Sequence, residues 1–228
     1  MPYRNPENEA RIMAVIRAHG PLTQREDVPA ELIARYEGLV PDLILDLWEN
    51  HGIGELAGGL LRFCIPDMFA QPIAMLFDGD PDYHPGTDTF VLAYGPFGSL
   101  AIWNDTHLIG LLSHPSAALD VPFYDRAEPG IDRDAVAFDY FLNADPRIMD
   151  VFDDSGEEMF ARARIALGPL RPGLIYGLMP PDDFRDVDVG NLQVTVAEEW
   201  LENRFSAQVY AIHDMINDRL NIRPVGRA

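Results

Sequence analysis

The stretch VPAELIARYEGLVPDLILDLWENHGIGELAGGLLRFCIPDMF, residues 28–69, decides the predicted fold. Pro29 and Pro41 each stand at the start of a helical pattern, where the first turn has no internal partners for its N–H groups. Gly52 ends the second helix, and residues 60–65 form an apolar run after a glycine-rich turn. The stretch therefore predicts two short amphipathic helices followed by a strand.

Three further apolar runs extend this strand into a sheet. They are FVLAY at 90–94, SLAIW at 99–103 and HLIGLL at 107–112. The turns between them, at 95–98 and 104–106, are short enough to favour antiparallel neighbours. The expected fold class is α+β: a small, mostly antiparallel sheet with flanking helices, followed by a more helical α+β C-terminal domain.

The first half of the chain resembles the GAD-like domain of bacterial immunity proteins. The pattern of that domain combines Val-Pro, Arg-Tyr-x-Gly, a Leu-Pro helix start, Trp and His-Gly, and the YGPFGSLAIWN hairpin is similar to its aromatic hairpin. Val40 departs from the leucine that the family usually has. The resemblance covers about residues 25–112. The matching helix-pair residues are Val28, Pro29, Glu31, Arg35, Tyr36, Gly38, Pro41, Leu43, Ile44, Trp48, His51 and Gly52.

The last third is similar to the C-terminal domain of Tdi-type immunity proteins, which follows a GAD-like domain in that family. Its signature is a Leu-Gly, Ile-Tyr-Gly and Pro run followed by an Asn-Leu-Gln element. Leu174 replaces the acidic residue expected before Ile-Tyr-Gly, and the chain past Trp200 lacks the family's His-Leu run. The matching residues are Leu167, Gly168, Leu170, Ile175, Tyr176, Gly177, Pro180, Gly190, Asn191, Leu192 and Val194.

A polar, proline-marked segment at 113–130 is the best candidate for a domain boundary. The predicted organisation is a GAD-like domain with its N-terminal helix at 1–114, a linker at 115–131 and a Tdi-type domain at 132–228. Within the last domain, the apolar spacing over 198–220 predicts one long helix. The polar tail after it is expected to fray.

Charge is the strongest compositional signal. The chain has 37 Asp and Glu against 17 Lys and Arg, all of them Arg, and a formal net charge of −20 at pH 7. Such a chain repels nucleic acid and anionic membranes, and it attracts a basic partner. High solubility is the plainer consequence of the same charge. We therefore expect no direct binding to nucleic acid or membranes.

The sequence predicts a cytoplasmic location. No apolar run approaches the roughly 18–20 residues needed to cross a bilayer, and residues 1–10 lack the apolar core of a secretory signal. The single cysteine, Cys64, lies within a strand pattern. We expect it to be a buried, inert thiol.

No pattern of catalytic residues stands out. The six histidines are scattered, and the chain has no HExxH motif, nucleophile elbow or phosphate-binding glycine loop. Asp78, Asp80 and Asp82 imitate the first ligands of a calcium-binding loop. However, Tyr83 and Thr89 replace the Gly and Glu that such a loop requires. We expect no enzyme activity, cofactor or metal; a hydrolase that uses the acidic clusters is the weakest alternative.

The combined resemblance implies an immunity protein that binds and neutralises a Tde-type DNase toxin of a type VI secretion system, encoded by a neighbouring gene. An acidic protein suits that role, because a nuclease presents a basic, phosphate-binding cleft. The alternative is a non-catalytic binding or scaffold module of SMI/KNR-like type without a toxin partner. The residues predicted to contact the partner are the acids of two loops, Asp78, Asp80, Asp82, Asp182, Asp183, Asp186 and Asp188.

Overall fold

The computed structural model describes residues 3–125, 130–180, 184 and 187–227. The helices are α1 (Pro6–His19), α2 (Ala30–Arg35), α3 (Asp42–His51), α4 (Ala70–Leu76), α5 (Arg133–Ala137), α6 (Phe160–Leu167) and α7 (Ala197–Ala207). The strands are β1 (Thr23–Glu26), β2 (Ile53–Leu56), β3 (Leu61–Phe63), β4 (Thr89–Tyr94), β5 (Leu100–Asn104), β6 (Leu108–Ser113), β7 (Ala118–Asp120), β8 (Leu174–Leu178), β9 (Leu192–Val196), β10 (Ala211–Asp214) and β11 (Arg219–Pro224). A π-helical turn covers Phe138–Leu142, and short 3-10 turns include Pro146–Met149 and Met215–Asn217. Among the described helices, none has the length and apolar character that crossing a membrane would require.

A nine-stranded sheet organises the described residues. Its order is β1-β2-β3-β4-β5-β6-β7-β10-β11, and its neighbours are antiparallel except for the parallel pair of β7 and β10. β8 and β9 form a separate antiparallel pair. The predicted fold class is confirmed. The sheet is larger than expected, because other segments extend the four predicted strands, which correspond to β3, β4, β5 and β6.

Both faces of the central strands of the sheet are covered. Phe90 and Leu92 of β4 belong to one hydrophobic cluster, and Val91 between them belongs to the other. Helices α1, α2, α3 and α5 contribute to the cluster around Trp48, whereas α4, α6 and α7 contribute to the cluster around Trp200. This arrangement explains the continuous apolar runs of β4 and β5, since a strand covered on both faces has no solvent-facing positions.

The helical layer around α3 is tied together by a buried carboxylate. Pro41 precedes α3 and offers no side-chain cap, so Asp134 of α5 accepts a hydrogen bond from the Leu43 N–H at 2.8 Å instead. The other oxygen of Asp134 accepts from the Asn5 and Asn8 side-chain amides at 3.1 Å each. These bonds join α1, α3 and α5 into one layer.

The sheet continues through the predicted linker. Residues 118–120, inside the predicted linker at 115–131, form β7, which pairs with β6 and with β10. Strands from both predicted domains therefore share one sheet. Arg62 of β3 adds a buried link, because it pairs with Glu55 of β2 and donates to the Leu170 carbonyl at 2.9 Å. The division of the chain into two domains stays a prediction.

The prediction of one long helix at 198–220 is wrong for the second half of that range. α7 ends at Ala207, and the chain then forms the hairpin of β10 and β11. Tyr210, Ile212 and Asp214 are buried, while the residues between them are partly exposed. That two-residue alternation is typical of a strand. The apolar residues after Ala207 therefore pack as a strand, although their spacing in the sequence also fits a helix.

Candidate partner-binding surface

The predicted acidic loop at 78–88 is held by the chain's own C-terminal strand. Asp80 is buried, and its two carboxylate oxygens accept hydrogen bonds from Arg223 of β11 at 2.8 and 2.7 Å. The Gly226 N–H donates to the same carboxylate at 2.8 Å. A bidentate guanidinium–carboxylate pair fixes the position of both partners. The tail expected to fray, residues 222–228, is therefore anchored over its described part.

The electrostatics of Asp80 match this structural role. Burial alone would raise the pKa of its carboxyl, but hydrogen bonds from Arg223 and from the Asp82 and Gly226 N–H groups outweigh burial, and the pKa is lowered. Burial likewise acts to lower the pKa of Arg223, and its bonds to Asp80 raise it overall. Both groups are ionised at neutral pH, so Asp80 is satisfied inside the molecule.

Asp82 and Asp78 are the more accessible acids of this loop. Asp82 accepts from Arg223 at 2.7 Å, and 35% of its side chain remains exposed. Asp78 pairs with Arg227 at 3.3 Å, and 63% of its side chain is exposed. Solvent-exposed ion pairs are weak. The two arginines therefore hold these carboxylates only weakly.

A ladder of stacked rings lies beside the loop. Phe77, Tyr83, His107 and Tyr124 stack in that order, with centroid separations of 4.7, 5.4 and 4.9 Å. Arg219 lies over the Tyr124 ring at 5.9 Å. Burial lowers the pKa of His107, so its ring is neutral at pH 7. The ladder thus gives His107 a packing role and fixes the loop on the sheet.

The second predicted acidic loop is described only at its end. Asp182, Asp183 and Asp186 lie outside the described residues. Asp188 is exposed and caps a 3-10 turn, and Arg162 lies 4.0 Å from its carboxylate. A role for these acids in partner binding stays a prediction.

Other reactive side chains are buried in the core. Cys64 is fully buried, and burial raises the pKa of its thiol, as expected for an inert cysteine. Burial lowers the pKa of His114 to about 3, while its ring nitrogens bond to the Tyr210 hydroxyl at 2.5 Å and the Gly98 carbonyl at 2.9 Å. In the described part of the chain, no three His, Cys, Asp or Glu side chains are grouped to hold a metal ion.

One acid that sequence reasoning missed lies in a different environment. Asp120, at the end of β7, lines an apolar cavity of about 200 Å³ together with Tyr140 and Ile148. Burial raises the pKa of this carboxyl. Asp120 lies in the predicted linker, outside both acidic loops, and its sequence signal is a charged residue inside an apolar run.

These observations define an acidic α+β protein with a large, mostly antiparallel sheet whose central strands are covered by helices on both faces. Residues 11–112 match the family model of the GAD-like domain, a range that covers less than half of the chain. The predicted GAD-like resemblance is thereby confirmed, and it begins nearer the N-terminus than expected.

The same fold occurs in a solved structure. The crystal structure of Atu4351 from Agrobacterium tumefaciens superimposes with a TM-score of 0.82 over 93% of this chain and 97% of that chain. The two sequences are 22% identical, so the likeness shows a common fold that extends well beyond residues 11–112. A sequence comparison with curated proteins finds no match.

Proposed function

We propose that this chain is an immunity protein: a non-catalytic, cytoplasmic binding protein that neutralises a Tde-type DNase toxin of a type VI secretion system by protein–protein interaction. The match of residues 11–112 to the GAD-like domain supports a binding module. The resemblance of the last third to the Tdi-type C-terminal domain supports the toxin partner. The likeness to Atu4351 is consistent with both regions in one fold.

The distribution of charge is the observation that carries the proposal. Glu198 and Glu199 on α7 are exposed, and no arginine of the described chain lies within ion-pair distance of them. Acids of this kind have no internal counter-charge, because most described arginines already pair with the chain's own carboxylates. The arginines engaged in this way are Arg4, Arg11, Arg25, Arg35, Arg62, Arg133, Arg147, Arg162, Arg219, Arg223 and Arg227.

This charge distribution favours a cationic protein over nucleic acid as the partner. Arginines bound within the chain are poor ligands for phosphate, whereas the surplus of carboxylates repels DNA and attracts the basic cleft of a nuclease. Long-range attraction of this kind raises the association rate and depends on salt. Neutralisation follows when the bound protein covers the cleft and keeps DNA out.

The test is co-expression with the product of the adjacent open reading frame. We expect the two proteins to co-elute in size exclusion. We expect the neighbour to degrade DNA only when this chain is absent, and the protection to weaken as salt rises. Polyglutamate at the same concentration of carboxylates is the control for acidity alone, and it should protect poorly.

Two results would contradict the proposal. A neighbour that neither binds nor degrades DNA would remove the DNase assignment and favour a scaffold module without a toxin partner. Equal protection by polyglutamate would show that charge alone, and not this fold, accounts for the inhibition.

A further inference from the structure

The apolar cavity that Asp120 lines is a groove on the face of the sheet that α3 and α5 cover, and it lies at the edge of that helical layer. Its floor is formed by Ile109 and Leu111 of β6 and by Asp120 of β7, which lie on one face of the sheet because Leu111 and Asp120 are cross-strand partners. Tyr140 of the π-helical turn and Ile148 of the following 3-10 turn form its wall. Beyond this wall, none of the described residues of β7, β10 and β11 belongs to the hydrophobic cluster that the helices form on this face.

Large apolar side chains are exposed around this groove. Tyr140 and Ile148 are 43% and 46% exposed, and Met215 and Ile216 at the tip of the β10–β11 hairpin are 57% and 51% exposed. The two sets are adjacent, since the Met215 N–H donates to the Asp120 carboxylate at 3.0 Å. Exposed apolar residues gathered at one place are typical of a protein-binding surface.

Asp120 places a carboxylate in the otherwise apolar groove, and a backbone hydrogen bond holds it in position. Its carboxylate receives a hydrogen bond from Met215, and its neighbour in the sheet register is His213. No arginine among the described residues lies within ion-pair distance of it, although the chain pairs most of its other arginines with carboxylates. Burial raises the pKa of Asp120, and the Met215 and Val121 N–H groups and the His213 ring offset this rise only in part.

We propose that this groove is the docking site for an apolar side chain of a basic partner protein that carries an adjacent Arg or Lys, whose cation binds the Asp120 carboxylate. The inference rests on the proposed function and identifies the contact surface for it. Charge complementarity selects this occupant: the site is apolar, its carboxylate has no arginine partner among the described residues, and a second copy of a chain of net charge −20 would be repelled.

The first test probes the groove without any partner protein. The probe is n-butylguanidinium, titrated into the ¹⁵N-labelled chain, with n-butanol and n-butyrate as neutral and anionic controls. We expect the cation to shift the backbone amide resonances of Leu111, Asp120 and Met215, and the anion to leave them in place. Asp120→Asn should weaken binding of the cation by roughly tenfold, because the neutral amide keeps the shape but loses the charge.

The second test uses the product of the adjacent open reading frame. Ile148→Asp, Met215→Asp and Asp120→Asn should each raise the Kd by roughly tenfold or more, as for residues at the centre of an interface. Ile165→Asp is the matched control for the apolar sites, because Ile165 is 86% exposed on α6. Glu31→Gln is the control for the loss of one charge. Both controls should bind like the unsubstituted chain.

The outcomes separate this inference from the proposed function. If the unsubstituted chain fails to bind its neighbour, the proposed function falls and the butylguanidinium titration alone decides about the groove. If the chain binds but the groove variants bind equally well, the groove inference falls and the proposed function stands. A dimer in sedimentation that Met215→Asp dissolves would overturn the inference and assign the face to self-association.

Discussion

Asp80 is buried and Asp120 is half-buried, and the two acids differ in the partners that the chain supplies to them. Asp80 has a bidentate guanidinium from Arg223 and a backbone N–H from Gly226, and its pKa is lowered. Asp120 has the Met215 N–H and no arginine partner among the described residues, and its pKa is raised by burial. One carboxylate has a guanidinium partner within the chain, whereas the other has backbone N–H donors and the nearby His213 ring.

The difference separates an acid that builds the fold from an acid that can bind something. A satisfied buried pair stabilises the molecule only as a pair, and removing one member leaves an uncompensated charge. A half-buried acid without an arginine partner costs stability when burial raises its pKa, a pattern that is typical of functional sites. The sequence pattern favours the loop of Asp78, Asp80 and Asp82 as the partner-binding site, whereas the structure favours Asp120 as the acid that contacts a partner.

The largest expected effect comes from Arg223. Arg223→Ala leaves the buried carboxylate of Asp80 without a cation, and we expect it to lower the free energy of unfolding by about 3 kcal/mol. Urea denaturation at pH 7 measures this change. Arg223→Lys should lower the free energy of unfolding by less than Arg223→Ala does, because an ammonium keeps the charge but cannot reproduce the bidentate geometry. Arg227→Ala is the control at an exposed pair and should change stability by no more than about 0.5 kcal/mol; an equal loss in both Ala variants would contradict the comparison.

The same pair predicts a response to acid. Because the folded-state pKa of Asp80 is lowered from its usual 3.8, its ionisation stabilises the fold above that pH. This contribution is lost as the pH falls from 3.8 through the lowered pKa. Urea denaturation at pH 5, 4 and 3 should therefore show a shallower acid loss in Arg223→Ala than in the unsubstituted chain. Parallel curves would show that Asp80 carries no linked protonation.

Asp120 should respond in the opposite direction. Its folded-state pKa is raised, so its ionisation costs stability at pH 7, and that cost disappears as the pH falls through the raised pKa towards the usual 3.8. We expect Asp120→Asn to stabilise the free protein at pH 7, with the gain shrinking in acid. Thermal and urea unfolding at pH 7 and pH 4 measure it. A clear loss of stability would instead make Asp120 a structural residue like Asp80.

The contrast between Asp80 and Asp120 also shows which parts of the fold and of the candidate sites could be predicted from the sequence. Local patterns predicted α3 and the strands from β3 to β6, because helix starts, glycine stops and apolar runs are short-range signals. They could not predict that Arg223 reaches Asp80, since that bond joins residues far apart in the chain. The role of Asp120 could not be predicted for the same reason, because its surroundings come from Tyr140 and from the hairpin of β10 and β11. The apolar spacing over 198–220 predicted a helix where that hairpin forms.

The smallest expected effect concerns the exposed acids of the loop and acts on rate. Asp78→Lys reverses a charge that is 63% exposed without touching the buried pair of Asp80. With the adjacent gene product as partner, we expect the association rate to fall by roughly two- to threefold at low salt and to match the unsubstituted rate at high salt. Glu31→Lys changes the net charge equally on α2, so stopped-flow rates of the two variants separate local from overall attraction. If the two variants slow association equally, the loop is only part of the general acidic field, and the groove around Asp120 alone carries the specific contact.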